Sequence, residues 1–156
     1  MSIDFQWIEE KITSRSISDE EKEALTEAVT ITPLKQGGLL INQDEPGGKL
    51  HILYQGSVRV EREEQGNKTH IATANTGDVI GDMTFFSGDT ASAHVTASSD
   101  SVVYQISRLA FSRLMKKNPD LVYSLFAYML THAAQVIRHM NEEHMSQLQY
   151  IMGRRV

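Results

Sequence analysis

Six histidines are the side chains of this 156-residue sequence that could bind a metal ion. His132 and His139 fall on one predicted helix, but a separation of seven residues places them about 10 Å apart, too far to share one ion. His51, His70 and His94 fall in segments with the alternating pattern of strands. The sequence contains no cysteine, which excludes disulfides, thiolate zinc sites, iron–sulfur clusters and cysteine nucleophiles. We therefore predict no metal site and interpret the histidines as surface or interface residues.

Catalytic motifs are also missing from the sequence. It has no Gly-x-Ser-x-Gly nucleophile turn, no phosphate-binding P-loop and no His-Glu-x-x-His zinc helix. Glu142-Glu143-His144 does not have the spacing that a zinc-binding helix requires. We therefore predict no catalytic residues and a protein that is not an enzyme.

Basic residues cluster before the last predicted helix, at Arg108, Arg113, Lys116 and Lys117, and again at Arg154-Arg155. A nucleic-acid patch and a solvated helix face are both compatible with these clusters, and the solvated face is the simpler interpretation. The formal net charge of −5 argues against nucleic acid, because proteins that bind it carry an excess of Lys and Arg. We expect no nucleic-acid partner for this chain alone.

Residues 76–86 form the most distinctive segment of the sequence. Two Gly-Asp pairs, Gly77-Asp78 and Gly81-Asp82, enclose a short apolar strand and lead into a predicted single turn of helix. The N-terminus of such a turn has unpaired backbone N–H groups and the positive end of the helix dipole, which together can bind an anion. Gly-Asp pairs alone are common in turns, so the flanking elements decide how informative this segment is.

Periodicity and turn residues divide the chain into three zones. Residues 1–30 are predicted to form short helices, with Ser18 as an N-cap and acidic residues in the turn that follows. Residues 31–107 contain short β-rich runs separated by glycine turns, which is typical of an antiparallel sandwich, jelly roll or barrel, with Gln65-Gly66-Asn67 as a hairpin tip. Residues 108–152 are predicted to be helical. The clearest predicted strands are residues 39–41, 49–54, 57–61, 70–74 and 101–106.

The last predicted helix begins at Pro119, with Asn118 as its cap, and runs to about Met152. Its length of about 50 Å exceeds the width of a small domain, so its far half should project beyond the β zone. An apolar stripe repeats along it every three or four residues, which favours a parallel coiled coil with a second copy over packing on the same chain. The predicted dimer residues are Phe126, Leu130, Ala133, Ile137, Met140, His144, Leu148 and Ile151.

Taken with its flanks, the segment 76–86 resembles the cyclic nucleotide-binding domain of the catabolite gene activator superfamily, which includes the cyclic-AMP receptor protein and the fumarate–nitrate regulator. Residues 39–45 resemble the first roll strand and turn of that family, and residues 54–60 its Gly-Ser-Val strand. Asn118-Pro119-Asp120 falls where the family begins its long dimer helix. The resemblance implies one mainly β domain over residues 1–156: a jelly-roll β-roll (a double-stranded β-helix) with short N-terminal helices and a long C-terminal dimerisation helix.

The resemblance also identifies a degenerate phosphate-binding cassette. Members that bind cyclic AMP or cyclic GMP have Gly-Glu, a short helix and then Arg-(Ser/Thr)-Ala, whereas this sequence has Gly81-Asp82 and Ala91-Ser92-Ala93. Val136-Ile137 falls where the activator has hydroxyl residues that contact the purine, and neither side chain can form a hydrogen bond. Because a hydrogen bond to a charged group contributes about 1.5–3 kcal/mol, we expect roughly a ten- to several-hundred-fold loss of cyclic AMP affinity. The implied ligand-binding residues are Gly81, Asp82, Met83, Thr84, Thr90, Ala91, Ser92 and Ala93.

These observations predict a non-enzymatic, dimeric module that senses a signal and regulates, and that does not bind cyclic AMP tightly. Two alternatives stay open: a structural or protein-interaction module with a vestigial pocket, and the sensor half of a truncated DNA-binding transcriptional regulator. The chain ends where the superfamily's helix-turn-helix domain would begin, so we expect no such domain. We expect no required cofactor, and we expect as partners a second copy and either a small molecule, such as a weakly bound cyclic nucleotide, or a protein.

The N-terminus predicts where the protein resides. Residues 1–10 carry acidic side chains and lack the basic start and apolar run of a signal peptide. The longest apolar stretch is far shorter than the ~20 residues needed to cross a bilayer. We therefore expect an unprocessed cytoplasmic protein without a membrane partner.

Overall fold

Antiparallel strands form two four-stranded sheets in the computed structural model, which describes residues 1–153. The first sheet has the strand order β1-β8-β3-β6 and the second has the order β2-β7-β4-β5. The predicted jelly roll is confirmed, and the predicted basic pair Arg154-Arg155 lies outside the described residues. The strands are β1 (Val29–Leu34), β2 (Leu39–Ile41), β3 (Lys49–Gln55), β4 (Ser57–Glu64), β5 (Asn67–Asn75), β6 (Val79–Ile80), β7 (His94–Ala97) and β8 (Ser101–Ser107).

Helices precede and follow the roll in the sequence, and one short helix lies within it, between β6 and β7. They account for 46% of the described residues, and the last helix alone has 35 residues. The description "mainly β" therefore fits the roll better than the whole chain. The helices are α1 (Phe5–Ile8), which continues as a π-helical turn (Glu9–Thr13), α2 (Asp19–Ala28), α3 (Asp82–Ser87), α4 (Arg108–Lys117) and α5 (Pro119–Gly153).

Two local motifs form as their residue types require. Ser18 caps α2: its Oγ accepts a hydrogen bond from the Glu21 N–H at 3.1 Å, and the Glu21 carboxylate accepts one from the Ser18 N–H at 2.9 Å. Gln65 and Gly66 connect β4 to β5 with φ angles of 52° and 80°. Left-handed backbone at both central residues is the geometry of a tight hairpin turn, so the predicted hairpin tip is confirmed.

The first sheet is covered on both faces. Side chains alternate along a strand, so Leu50 and Ile52 of β3 pack in a cluster with the helices, whereas Leu53 packs in a second cluster inside the roll. Val103 of β8 also lies in the inner cluster, and its neighbour Tyr104 lies in the outer one. The inner cluster fills the interior of the roll, and the outer cluster packs the helices against the opposite face of the first sheet.

The long helix α5 starts on the body of the domain and then leaves it. Asn118 ends α4 by donating its N–H to the Leu114 carbonyl at 2.7 Å, and its own carbonyl accepts the Val122 N–H at 3.2 Å. The first three turns of α5 are anchored by buried side chains, and from Leu130 onward its apolar side chains are largely exposed. The buried residues of α5 are Leu121, Val122, Leu125 and Met129.

Candidate functional site

The turn before α3 is shaped by Gly81. Its φ angle is 74°, and its carbonyl accepts the Phe85 N–H at 3.0 Å to start the helix. A Cβ at this position would lie 3.3 Å from Ile41 Cδ1 and 3.4 Å from His51 Nδ1. Glycine therefore suits both the left-handed backbone and the narrow space between this turn and the strands behind it.

A cavity of about 370 Å³ opens between this turn, the roll and α5. Seven of the eight predicted ligand-binding residues line it, and Thr90 does not. Thr90 instead forms an isolated β-bridge with Pro46, and its side chain is exposed. From α5, Val136 lines the cavity and Ile137 does not. The lining residues from the predicted set are Gly81, Asp82, Met83, Thr84, Ala91, Ser92 and Ala93.

The charges around this cavity are mostly acidic. Asp78 and Asp82 line it, together with His132, and none of its lining residues is Lys or Arg. Ala91, which the sequence analysis predicts to replace the cassette arginine, is buried with 5% of its surface exposed. The cavity as it stands therefore offers no fixed cation to an anionic ligand.

Solved structures of other proteins share this architecture. A cyclic nucleotide-binding domain from Methylobacillus flagellatus KT is 22% identical over 92% of this chain and 83% of that one, with a TM-score of 0.78. The catabolite activator protein of Thermus thermophilus is 21% identical over 87% of this chain, with a TM-score of 0.61, and this chain covers 61% of its length. The N-terminal domain of a transcriptional regulator from Streptomyces coelicolor A3(2) is 20% identical over 81% of this chain and 88% of that one, with a TM-score of 0.61. At these identities the likeness is one of fold.

The sequence itself decides the family. Residues 31–118 match the cyclic nucleotide-binding domain family. The chain belongs to that family. No curated protein sequence matches it significantly. The predicted resemblance is confirmed. The 370 Å³ cavity is called the cassette cavity below, because seven of the predicted cassette residues line it.

The helix α5 is fastened to the loop that precedes the cassette. The Tyr128 hydroxyl donates a hydrogen bond to the Gly77 carbonyl, and His132 Nε2 lies 3.2 Å from Asp78 Oδ1. Asp78 Oδ2 accepts the Asn75 N–H at 2.8 Å, which holds the loop closed. Burial, and then the charge of Asp78, raise the pKa of Tyr128 above its usual value, so its hydroxyl stays a donor. Sequence reasoning missed this connection, because nothing in the spacing of these residues shows that they meet.

Arg108 binds the C-terminal part of α3, the short helix that follows the turn at Gly81. Its Nε donates to the Phe85 carbonyl at 3.0 Å, and its Nη2 donates to the Thr84 carbonyl, also at 3.0 Å. Its guanidinium carbon lies 5.7 Å from the centre of the Phe85 ring. A cation at a helix C-terminus is favourable, and here it adds a donor to the Phe85 carbonyl and a second donor to the Thr84 carbonyl, which also accepts the Gly88 N–H at 3.0 Å. The sequence placed Arg108 in a solvated basic cluster, and the structure assigns it this specific contact.

Aromatic side chains connect α3, α4 and α5 next to the cassette. Phe111 of α4 lies 5.4 Å from Phe85 and 5.6 Å from Phe126, measured between ring centres. Phe86 lies 5.6 Å from Phe126. Phe126, predicted to belong to the dimer stripe, thus contacts its own chain and keeps 41% of its surface exposed.

The rest of the predicted dimer stripe is exposed to different degrees. Leu130, Ile137, Met140 and Ile151 each expose more than half of their surface, and Leu148 exposes 38%. His144 is exposed and Ala133 is half-buried. The stripe therefore forms an apolar row that the described part of this chain leaves largely uncovered.

The described part of the chain has neither a cluster of metal-binding side chains nor a membrane-spanning helix. Residues 1–153 contain no group of three or more His, Asp or Glu side chains placed to hold a metal ion. No helix within the same residues is both long enough and apolar enough to cross a membrane.

Proposed function

We propose that this chain is a dimeric, non-enzymatic sensing module that binds a ligand less anionic than cyclic AMP in its cassette cavity. The observation that carries the proposal is that Ala91, the residue that the sequence analysis predicts to replace the cassette arginine, is buried and lines the cassette cavity. In this family a cyclic phosphate needs that cation, because a buried charge must be paired and hydrogen-bonded.

Electrostatics around the cavity support this proposal. A cyclic phosphate would meet two acids, Asp78 and Asp82, and no lysine or arginine among the lining residues. Asp78 is already paired with His132, while the Asp82 carboxylate has no hydrogen-bond or ion-pair partner among the described residues. Asp82 is therefore available to accept hydrogen bonds from hydroxyl or amine groups of a neutral or cationic ligand.

The walls of the cavity suggest how binding would be communicated. Gly81 and Ala91 belong to the roll side, whereas His132 and Val136 come from α5. A ligand that fills the cavity would contact both parts, and it would favour whichever arrangement of helix and roll it binds more tightly. The aromatic contacts of Phe85 and Phe86 with α4 and α5 provide a second connection between cassette and helix.

Dimerisation is proposed on the exposed apolar row of α5. A 35-residue helix spans about 52 Å, and only its first turns are buried in its own domain. A second copy of the same helix presents the same row, so two copies in parallel would cover each other along the stripe. This arrangement would bring the two cassettes under the control of one shared helix pair.

Isothermal titration with cyclic AMP and cyclic GMP tests the cavity. We expect the wild-type protein to bind neither in the micromolar range, and we expect Ala91→Arg to bind cyclic AMP about ten- to a hundred-fold more tightly than the wild type. Ser87→Arg, which adds the same charge at the exposed end of α3, should leave affinity unchanged. Micromolar binding by the wild-type protein would overturn the proposal. Should Ala91→Arg fail to fold, the wild-type titration decides the question by itself.

A thermal-shift screen of the wild-type protein with cyclic nucleotides, dinucleotides and small neutral or cationic compounds tests the sensing role. A ligand at a hundred times its dissociation constant adds about 2.7 kcal/mol to stability, which is a readily measured shift. A cavity that responds to none of these compounds would contradict the sensing role and favour a protein-interaction module.

A further inference from the structure

We propose that a second cavity, on the opposite side of the cassette turn, binds a small hydroxycarboxylate that carries a single negative charge. The residues assigned to it are Lys49, His51 and Gln105. This site goes beyond the proposed function, because it lies outside the cassette cavity and needs no cassette ligand.

The second cavity has a volume of about 270 Å³ and lies between the β2–β3 loop and the start of α3. Ile41, Gly81 and Thr84 line both this cavity and the cassette cavity. The turn at Gly81 that begins α3, here called the cassette turn, therefore forms a wall between the two cavities. Gly47 closes it on one side, since a Cβ there would lie 2.4 Å from Thr84 Oγ1. A molecule in this cavity would therefore touch the back of the turn that carries Gly81.

Strand register explains why this cavity is polar. His51 of β3 lies directly opposite Gln105 of β8, and Lys49 is two residues before His51 on the same face of the strand. Further along the same face, Leu53 and Val103 form the apolar interior of the roll. The interior of the roll thus changes from apolar to polar at one end, and the polar side chains gather around the second cavity.

His51 has an unsatisfied polar atom here. Only 6% of its surface is exposed, and its Nδ1 is buried without a hydrogen-bond partner among the described residues. Burial lowers the pKa of His51 to about 4, so the ring is neutral at physiological pH. An unpaired polar atom in the interior is unfavourable, and a hydroxyl group can pair with Nδ1 whether that nitrogen donates or accepts.

Two donors stand beside the ring for a carboxylate. Lys49 Nζ lies 3.4 Å from Gln105 Oε1, so the Gln105 oxygen is occupied and its amide nitrogen donates to no other described residue. The Gln105 side chain is buried with 7% exposure, while Lys49 is exposed at the strand end. An ammonium and an amide N–H₂ on one side of a cavity form a donor pair for the two oxygens of a carboxylate.

The remaining charge sets the charge of the ligand. Glu45 also lines the cavity, and its Oε1 accepts a hydrogen bond from Asn42 Nδ2 at 2.9 Å. With one lysine, one glutamate and a neutral histidine, the lining tolerates one negative charge next to Lys49 and repels a second one near Glu45. A hydroxycarboxylate with one charge fits, whereas a dicarboxylate or a phosphate does not.

The test uses D-glycerate as the probe, with glycerol and malate for comparison. Calorimetric titration measures affinity, and ¹⁵N NMR of histidine-labelled protein follows His51 Nδ1, whose signal is assigned by its loss in His51→Gln. Lys49→Met removes the carboxylate donor at an exposed position, and Lys68→Met on the exposed strand β5 is the matched control.

We expect glycerate to shift the His51 Nδ1 signal in the wild-type protein and in Lys68→Met, and to bind Lys49→Met at least about tenfold more weakly. Glycerol and malate should leave the signal in place. A His51 signal that does not respond to glycerate, equal affinity in the two lysine variants, or equal responses to glycerate and malate would each overturn the proposal. None of these readouts involves cyclic nucleotide, so the result is independent of the cassette cavity.

Discussion

His132 Nε2 of α5 lies 3.2 Å from Asp78 Oδ1 of the β5–β6 loop, and this contact joins the long helix to the residues directly before the cassette turn. Tyr128, one helical turn earlier, stacks on His132 with ring centres 6.2 Å apart and donates to the neighbouring Gly77 carbonyl. The helix that we propose as the dimer interface is therefore bonded to the wall of the proposed ligand cavity. A shift of α5 would therefore move the wall of the cavity, and a shift of that wall would move α5.

Removing this connection should loosen the helix locally. We expect Tyr128→Phe to lower the free energy of unfolding by about 1 kcal/mol, since it removes one partly buried hydrogen bond. His132→Gln should lower the free energy of unfolding by about 0.5–1 kcal/mol, because the contact between His132 and Asp78 is partly exposed. Urea denaturation measures both, and hydrogen exchange should show faster exchange in residues 76–86.

The matched control for these variants is His139→Gln. His139 is exposed and pairs with Glu143 within α5, and no hydrogen bond or ion pair joins it to another element among residues 1–153. Its loss should therefore leave hydrogen exchange in residues 76–86 unchanged. The Tyr128 and His132 variants should be non-additive when combined, because their rings are in contact. If the effects of Tyr128→Phe and His132→Gln on the free energy of unfolding are fully additive, the two residues do not act together. If His132→Gln and His139→Gln change hydrogen exchange in residues 76–86 equally, His132 does not hold this loop.

Arg108 should hold the cassette helix in place. We expect Arg108→Met to lower the free energy of unfolding by no more than about 1 kcal/mol, because the side chain is partly exposed, and to accelerate hydrogen exchange in α3. Arg113→Met, an exposed arginine of the same helix without a contact to α3, is the control. Unchanged exchange in α3 after the Arg108 substitution would show that its two hydrogen bonds do not position the cassette.

His51 should make stability depend on pH. Burial lowers its pKa from 6.5 to about 4 in the folded protein, with the nearby charge of Lys49 acting in the same direction and the Ile80 backbone opposing it. The unfolded chain therefore binds a proton more readily, and the free energy of unfolding falls as the pH drops from 6.5 towards 4. A shift of this size corresponds to about 3 kcal/mol.

Comparison of two variants isolates that contribution. His51→Gln removes the group whose pKa is lowered, so acid should destabilise it less than the wild type. The free energy of unfolding of the wild type minus that of the variant should fall by about 3 kcal/mol between pH 7 and pH 4. His70→Gln, at an exposed position of β5, should follow the wild-type curve. If the difference in free energy of unfolding between the wild type and His51→Gln stays constant over this pH range, burial does not hold His51 in its neutral form.

The exposed row of α5 should carry dimerisation. We expect Ile137→Glu or Met140→Glu to raise the dimer dissociation constant at least about tenfold, because each places a charge on the apolar row. Ser146→Glu adds the same charge away from that row and should leave dimerisation intact. Sedimentation equilibrium distinguishes the outcomes, and a wild-type protein that is monomeric at all concentrations would contradict the interface.

Local chemistry made much of the fold predictable. The N-cap at Ser18 and the hairpin turn at Gln65-Gly66 depend on residues a few positions apart, and both formed as predicted. The length of α5 followed from an uninterrupted apolar period, and the family followed from an ordered set of short motifs. Seven of the ligand-binding residues predicted from the sequence line one cavity. They could be predicted because they belong to two short segments, residues 81–84 and 91–93, that lie close together in the sequence.

Tertiary structure decided which of these pieces meet. Arg108 reaches α3, and Tyr128 and His132 reach the loop at Gly77, through contacts between residues far apart in the chain. His51 and Gln105 become neighbours only through the register of β3 and β8. A sequence fixes local conformation through propensity, capping and turn chemistry, but strand register and the rotation of a helix on its sheet depend on how the whole core packs. For this reason the residues that line the first cavity could be predicted from the sequence. The contacts of Tyr128 and His132 with the loop at Gly77, and the second cavity, required the folded structure.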